Sequence, residues 1–280
     1  MALPLVAGVD GSDASLVAVD WAADEAARHG VPLRLVYASL WERYEDAAPS
    51  GSPGRLSEHE MAERVLGVAV ERARRHNPDV KVFAEAVPED AVSALLREGH
   101  NASALVTGSR GRGGLAGLLL GSVSLVVAGR ARCPVIVVRG DKAGLAGSHE
   151  RILLGAGEPA AGGEALRFAL REAGARGCTL DVVRAWRCPA HETAGHEERA
   201  SALLDTLLHD AMADRPKAHV RRAVVEGPAR RVLLNRSAAA DLVIVGARRR
   251  SGPLGLQLGR VGHTLLHHAQ CPVAIVPQEV

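Results

Sequence analysis

Leu105-Val106-Thr107-Gly108-Ser109-Arg110-Gly111-Arg112-Gly113-Gly114-Leu115-Ala116-Gly117 carries a short apolar run straight into a glycine-rich loop, and the passage occurs twice. Residues 105–138 align with 243–276 at a constant offset of 138, without a gap and with fourteen of the thirty-four positions identical. The shared positions include Gly108/Gly246, Arg110/Arg248, Gly121/Gly259, Cys133/Cys271 and Pro134/Pro272. Upstream the offset becomes 147, pairing Gly8 with Gly155, Gly30 with Gly177, Leu33 with Leu180 and Ala38 with Ala185. The nine-residue difference falls in the Pro/Gly/Ser-rich stretch Ala47-Ala48-Pro49-Ser50-Gly51-Ser52-Pro53-Gly54, whose composition is that of a surface loop. The chain is therefore read as two copies of one module, 1–140 and 150–280, joined by the small and polar stretch Gly140 to His149. Its 280 residues suit two domains of about 100–200 residues each.

Each copy alternates short apolar runs with longer segments of helical period, the pattern of βαβ units with a parallel sheet and helices on both faces. In the first copy the strands are expected at Leu3–Val9, Leu33–Ala38, Lys81–Ala86, Leu105–Thr107 and Val135–Val138; in the second near Ile152–Ala156, Leu180–Ala185, Val220–Val225, Leu242–Val245 and Val273–Val276. Between the first two strands, Ser12 to His29 places Leu16, Val19, Ala23 and Ala26 at helical spacing and ends before Gly30, the residue type that commonly follows a helix C-terminus.

Composition narrows the function. A formal charge of +2 with interspersed signs gives little pull on nucleic acid. Trp21, Tyr37, Trp41, Tyr44, Phe83, Phe168 and Trp186 form no cluster interleaved with Lys or Arg on which single strands could stack. No apolar run approaches the roughly 20 residues of a membrane span, and the N-terminus reads as a first strand, so a cytoplasmic protein is expected. Cys133, Cys178, Cys188 and Cys271 form no CxxC pair and read as reduced, with Cys133 and Cys271 as small buried residues at strand entrances. His267 and His268, late in a helix without a third ligand at metal spacing, read as cations near a helix C-terminus.

The chemistry concentrates at strand ends. In an open α/β sheet ligands bind beyond the carboxyl ends of the strands, where glycines let backbone N–H groups approach an anion and a following helix N-terminus adds its positive end. The loop from Gly108 occupies that place, and Gly121 and Ser122, at the next helix start, would supply an N–H and a hydroxyl. Arg110 and Arg112 could neutralise phosphate charge or simply be solvated. Neither GxxxxGK[ST] nor GxGxxG occurs, so the loop alone distinguishes a phosphate cradle poorly from a flexible turn. Strand 1 ends Gly8-Val9-Asp10-Gly11-Ser12, with Ser12 a plausible N-cap and Asp10 suited equally to capping that helix or to accepting hydrogen bonds from ribose hydroxyls.

Val9-Asp10-Gly11-Ser12, then Gly108-x2-Gly111-x9-Gly121-Ser122, then Cys133-Pro134-Val135-Ile136-Val137-Val138 together resemble the universal stress protein family, ATP-binding branch, as a tandem pair. The resemblance implies Rossmann-like (adenine nucleotide alpha-hydrolase-like) modules, each a five-stranded parallel sheet of order 3-2-1-4-5. It also implies ATP, with or without Mg²⁺, held with little or no hydrolysis, and a regulatory role in stress or growth arrest. On matching positions Asp10 would touch the ribose, Gly108, Gly111, Gly121 and Ser122 the phosphates, and the backbone near Ala38 the adenine edge. Gly8, Ser109, Arg110, Arg112, Gly113 and Val123 complete the expected nucleotide site.

The second copy departs at the demanding positions: Gly157 stands for Asp10, Arg249 for Gly111 and Arg260 for Ser122, leaving Gly246 and Gly259. An arginine where backbone must approach a phosphate blocks the approach, so one nucleotide per chain is expected. Two rivals stay open: a weak ATPase or nucleotidyl-transferring enzyme, for which the loop supplies no lysine or Mg²⁺-binding carboxylate set, and a dimerisation module that binds no nucleotide. The last strands, Val135–Val138 and Val273–Val276, are short and apolar, so packing through them and a homodimer are expected.

Overall fold

The computed structural model describes residues 2–40, 58–111, 120–157, 159–187, 195–213, 219–248 and 258–278. The chain divides into two compact units, Met1–Val138 and Arg139–Val280.

In the first unit the elements run β1 (Leu5–Gly8), α1 (Asp13–His29), β2 (Leu33–Ala38), α2 (Glu58–His76), β3 (Val82–Val87), α3 (Ala91–Glu98), β4 (Ala104–Gly108), α4 (Ser122–Arg130) and β5 (Val135–Val138). All strand pairings within it are parallel, in the order β3-β2-β1-β4-β5. The α/β alternation read from the apolar runs is thus the fold. Strands β4 and β5 are buried throughout, which is why, Thr107 apart, their sequences are apolar runs and not alternating ones. Edge strand β3 exposes Phe83, Ala84 and Glu85.

Helix α1 begins and ends for local reasons. Ser12 caps it by accepting from Ser15 N, and Gly30 adopts φ 62°, a left-handed turn in which its N–H reaches Ala26 O and Ala27 O. Half of its eight buried residues, Ala18, Ala22, Ala23 and Ala26, are alanine, which lets the helix lie close to the sheet. That close approach sets the geometry of the strand ends beneath its first turn.

The second unit repeats the plan: α5 (Lys142–Ala146), β6 (Arg151–Gly155), α6 (Pro159–Arg176), β7 (Thr179–Trp186), α7 (His196–Ala213), β8 (Val220–Glu226), α8 (Ala229–Ser237), β9 (Leu242–Arg248), α9 (Arg260–His268) and β10 (Val273–Gln278). Its parallel order is β8-β7-β6-β9-β10. Here the structure corrects the expectation of a plain linker at Gly140 to His149. Residues 142–146 form α5, capped by Asp141, whose side chain accepts from Gly144 N at 2.9 Å, and Asp141 N donates to Gln270 O at 3.1 Å.

The C-terminal turn of α9 brings a second correction. Arg139 supplies its cation: Nε donates to Ala269 O at 2.9 Å and the guanidinium also reaches Leu266 O. His267 stacks on His263 with centroids 4.5 Å apart and lies 6.0 Å from the His268 ring. Burial lowers the His267 pKa, and the neighbouring His263, His268 and Arg139 lower it further, which disfavours the helix-end cation expected of it.

In the unfolded chain His267 takes up a proton below about pH 6.5, while the folded chain resists it. Stability from this group is therefore complete above that pH and is lost as pH falls towards the lowered folded value. Melting followed from about pH 7.5 to about pH 5.5 should show the wild-type transition dropping more steeply than that of His267→Gln. Parallel curves would contradict the assignment.

Candidate functional site

Beyond the carboxyl ends of β1, β2 and β4, the first unit holds a cavity of about 340 Å³, large enough for part of a nucleotide-sized ligand. Gly8, Asp10, Ala38, Gly108, Arg110, Gly111, Gly121, Ser122 and Val123 all line it, so nine of the residues read from the sequence meet in one place. Ser109 is not among the lining residues. Its N–H donates to Val138 O at 3.1 Å and its carbonyl accepts from Gly121 N at 2.8 Å, so it serves the loop's own backbone. Arg112 and Gly113 lie outside the described residues.

Asp10 is held by the turn that starts α1. Its Oδ1 accepts from Ser12 N at 3.0 Å and from Ser12 Oγ at 2.6 Å, while Ser12 Oγ in turn receives Ser15 N at 3.2 Å. The helix cap is therefore Ser12, and Asp10 fixes the cap. The glycine loop closes over this carboxylate: a Cβ built on Gly111 would stand 2.5 Å from Asp10 Oδ2.

Gly108 has a different reason to be glycine. A Cβ there would meet the α1 backbone, Ala14 O at 2.6 Å and Ser15 N at 2.9 Å, so the strand end and the first turn of α1 touch main chain to main chain. Ser124 Oγ donates to Gly108 O at 2.7 Å and ties the same point to α4. The reading of Gly121 needs correcting, because its N–H is consumed by Ser109 O and is no donor for a ligand. Helix α4 nonetheless opens on the cavity with Gly121 as an N-cap that makes no side-chain hydrogen bond. The first-turn N–H groups of any helix lack intrahelical partners, and with them comes the positive end of the helix.

The remaining wall is apolar and was not read from the sequence. Val9, Val36, Ala91, Leu95 and Leu120 line it, along with Ser15, Thr107 and Ser124. Residues such as Ala91 and Leu95 carry no signal beyond helical periodicity, which core packing produces equally well.

In the second unit the equivalent place is built differently. Gly157 offers no carboxylate, and its carbonyl accepts from Arg184 Nη1 at 2.5 Å. A Cβ at Gly246 would meet the Gln278 side chain at 3.0 Å, where Gly108 meets helix backbone. Arg260 opens α9 in place of Ser122, while Arg249 and Arg250 lie outside the described residues. Burial pushes the Cys133 thiol up to about 11 and that of Cys271 to about 12, which suits inert packing groups at the strand entrances. No described helix is long and apolar enough to cross a membrane.

Comparison with known proteins covers nearly the whole chain. The model of the universal stress protein family matches residues 1–139 and again 149–277. The universal stress protein Rv2005c of Mycobacterium tuberculosis is 32% identical over 290 residues, spanning 98% of this chain and 97% of that protein. Rv2623 of the same organism is 30% identical over 292 residues, spanning 99% and 97%. A crystal structure of a universal stress protein from Archaeoglobus fulgidus aligns over 98% of both chains with a TM-score of 0.72 at 17% identity, a likeness of fold.

Proposed function

Since the chain belongs to the universal stress protein family in both of its halves, we propose that its first unit binds one adenine nucleotide, ATP foremost, and that occupancy acts as a regulatory signal in stress or growth arrest. The observation that carries this reading is the convergence, on one cavity, of the Gly108–Gly111 backbone, the uncapped start of α4, the braced Asp10 carboxylate and an apolar wall. Phosphates suit the helix start and glycine backbone. Ribose hydroxyls suit a carboxylate, and a base suits Val9, Val36, Ala38 and Leu95. ATP would bring charge that Arg110 is placed to meet, and a Mg²⁺ carried with it would find Asp10 as the one carboxylate among the described lining residues.

The test of identity is whether nucleotide leaves the purified protein on denaturation, read by absorbance near about 260 nm and by mass spectrometry; the π systems of adenine make the first readout direct. A protein of this design holds ATP and turns it over slowly or not at all. No lysine lines the cavity among the described residues, and Asp10 already accepts two hydrogen bonds from Ser12, which leaves an attacking water without an evident base. Turnover measured with excess ATP and Mg²⁺ should stay well below about 1 s⁻¹, the lower end of ordinary enzymes. A faster rate, abolished by Asp10→Ala, would make the protein an enzyme.

A further inference from the structure

Ala7 of β1 pairs with Val106 of β4, so one step further on Gly8 and Thr107 lie side by side and point to the same face. On that face Val36 of β2 pairs with Gly8 from the other side, and Leu95 of α3 lies 3.0 Å from where a Gly8 Cβ would be. Leu95 therefore fills the place that a Gly8 side chain would take, and Thr107 is the neighbouring side chain in the row. Thr107 is only 4% exposed and lines the cavity. Its Oγ1 is buried and has no hydrogen-bond partner among the described residues. The other buried hydroxyls lining the cavity are engaged: Ser124 Oγ donates to Gly108 O at 2.7 Å and Ser15 Oγ to Ser12 O at 2.9 Å.

A buried hydroxyl without a partner is unfavourable and rare in native proteins. Thr107 lines the cavity together with the apolar Val36, Ala38, Ala91 and Leu95. We propose that the Thr107 hydroxyl hydrogen-bonds the nucleoside portion of the bound nucleotide and so takes part in choosing the ligand. The assignment rests on the adenine-nucleotide reading above and adds a contact to it. Thr107 contributes at the nucleoside end, while the glycine loop and the start of α4 serve the phosphates.

Two readouts move in opposite directions if this is right. Calorimetric titration of Thr107→Val with ATP and with AMP should show both affinities falling by the same factor, about 2- to 13-fold for a neutral hydrogen bond. Thr107→Ser, which keeps the hydroxyl, should stay within about twofold of wild type. Without ligand, Thr107→Val should melt at or above the wild-type temperature, because valine has threonine's shape and removes the orphaned group. Unchanged affinity in Thr107→Val, a loss seen with ATP alone, or a clear drop in its ligand-free melting temperature would each overturn the assignment. If wild type binds both nucleotides and Thr107→Val binds them equally, the adenine site stands and only the Thr107 contact falls. If wild type binds neither, the nucleotide reading falls and takes this contact with it.

Discussion

Calorimetric titration with ATP is expected to show one site in the wild-type chain and no binding in Gly111→Arg. Any side chain at this position begins 2.5 Å from Asp10 Oδ2, because the loop lies directly on that carboxylate. An alanine would already require the Asp10 carboxylate to turn aside. An arginine adds a guanidinium that pairs with Asp10 and occupies the space a ribose and its phosphates would use. The second copy carries this change in its own sequence, with Arg249 at the same position, Gly157 in place of Asp10 and Arg260 in place of Ser122. Losing the contacts of Asp10 and Ser122 removes roughly 1.5–3 kcal/mol for a charged hydrogen bond and 0.5–1.5 for a neutral one, enough to weaken binding tens- to thousands-fold before the steric block is counted. Asp10→Ala should accordingly weaken binding without the block. Gly111 is half-buried on a loop, so its substitution should leave the melting temperature nearly unchanged. Two sites per wild-type chain, or titration of Gly111→Arg that matches wild type, would show that the two copies have been told apart wrongly.

The second large effect concerns stability, and it separates two glycines that the repeat makes equivalent. Gly108→Ala should destabilise the first unit by about 1–3 kcal/mol, since the new methyl meets Ala14 O and Ser15 N of α1, and neither helix backbone nor strand can yield without disturbing the other. Gly246→Ala meets the side chain of Gln278 at 3.0–3.2 Å. A glutamine can shift by a few tenths of an ångström, so a cost of about 1 kcal/mol or less is expected. Urea unfolding of the two variants beside wild type reads the difference directly. Equal costs would mean that the close approach of β4 to α1 is not what makes Gly108 glycine.

Sequence reading reached some parts of the site and missed others for physical reasons. The module and its duplication were visible because glycines and the Cys-Pro pairs recur at fixed offsets, and because buried parallel strands are written as uninterrupted apolar runs. Asp10 and Ser12 were visible because capping chemistry uses few residue types at set spacings. Gly121 was only half understood: a glycine before a helix promises an N–H, but the direction in which the loop turns decides who receives it, and Ser109 O receives this one. Thr107 was passed over inside Leu105–Thr107, since a threonine in a buried strand looks like any β-branched residue until its hydroxyl is found without a partner. Composition misled at Gly140 to His149, because the small residues that make a chain flexible also allow tight packing. A Cβ on Gly144 would lie 2.8 Å from Gln270 O, and Gly140 holds a φ of 112° beside the same carbonyl.

Arg139 and Asp141 follow the last strand of the first unit directly, yet Arg139 donates to Leu266 O and Ala269 O and Asp141 N donates to Gln270 O, all within the second unit. A fragment begun at residue 150 would lose α5 and leave the end of α9 with three carbonyls stripped of these donors, so the second unit has to be cut out of the chain from Arg139 onward.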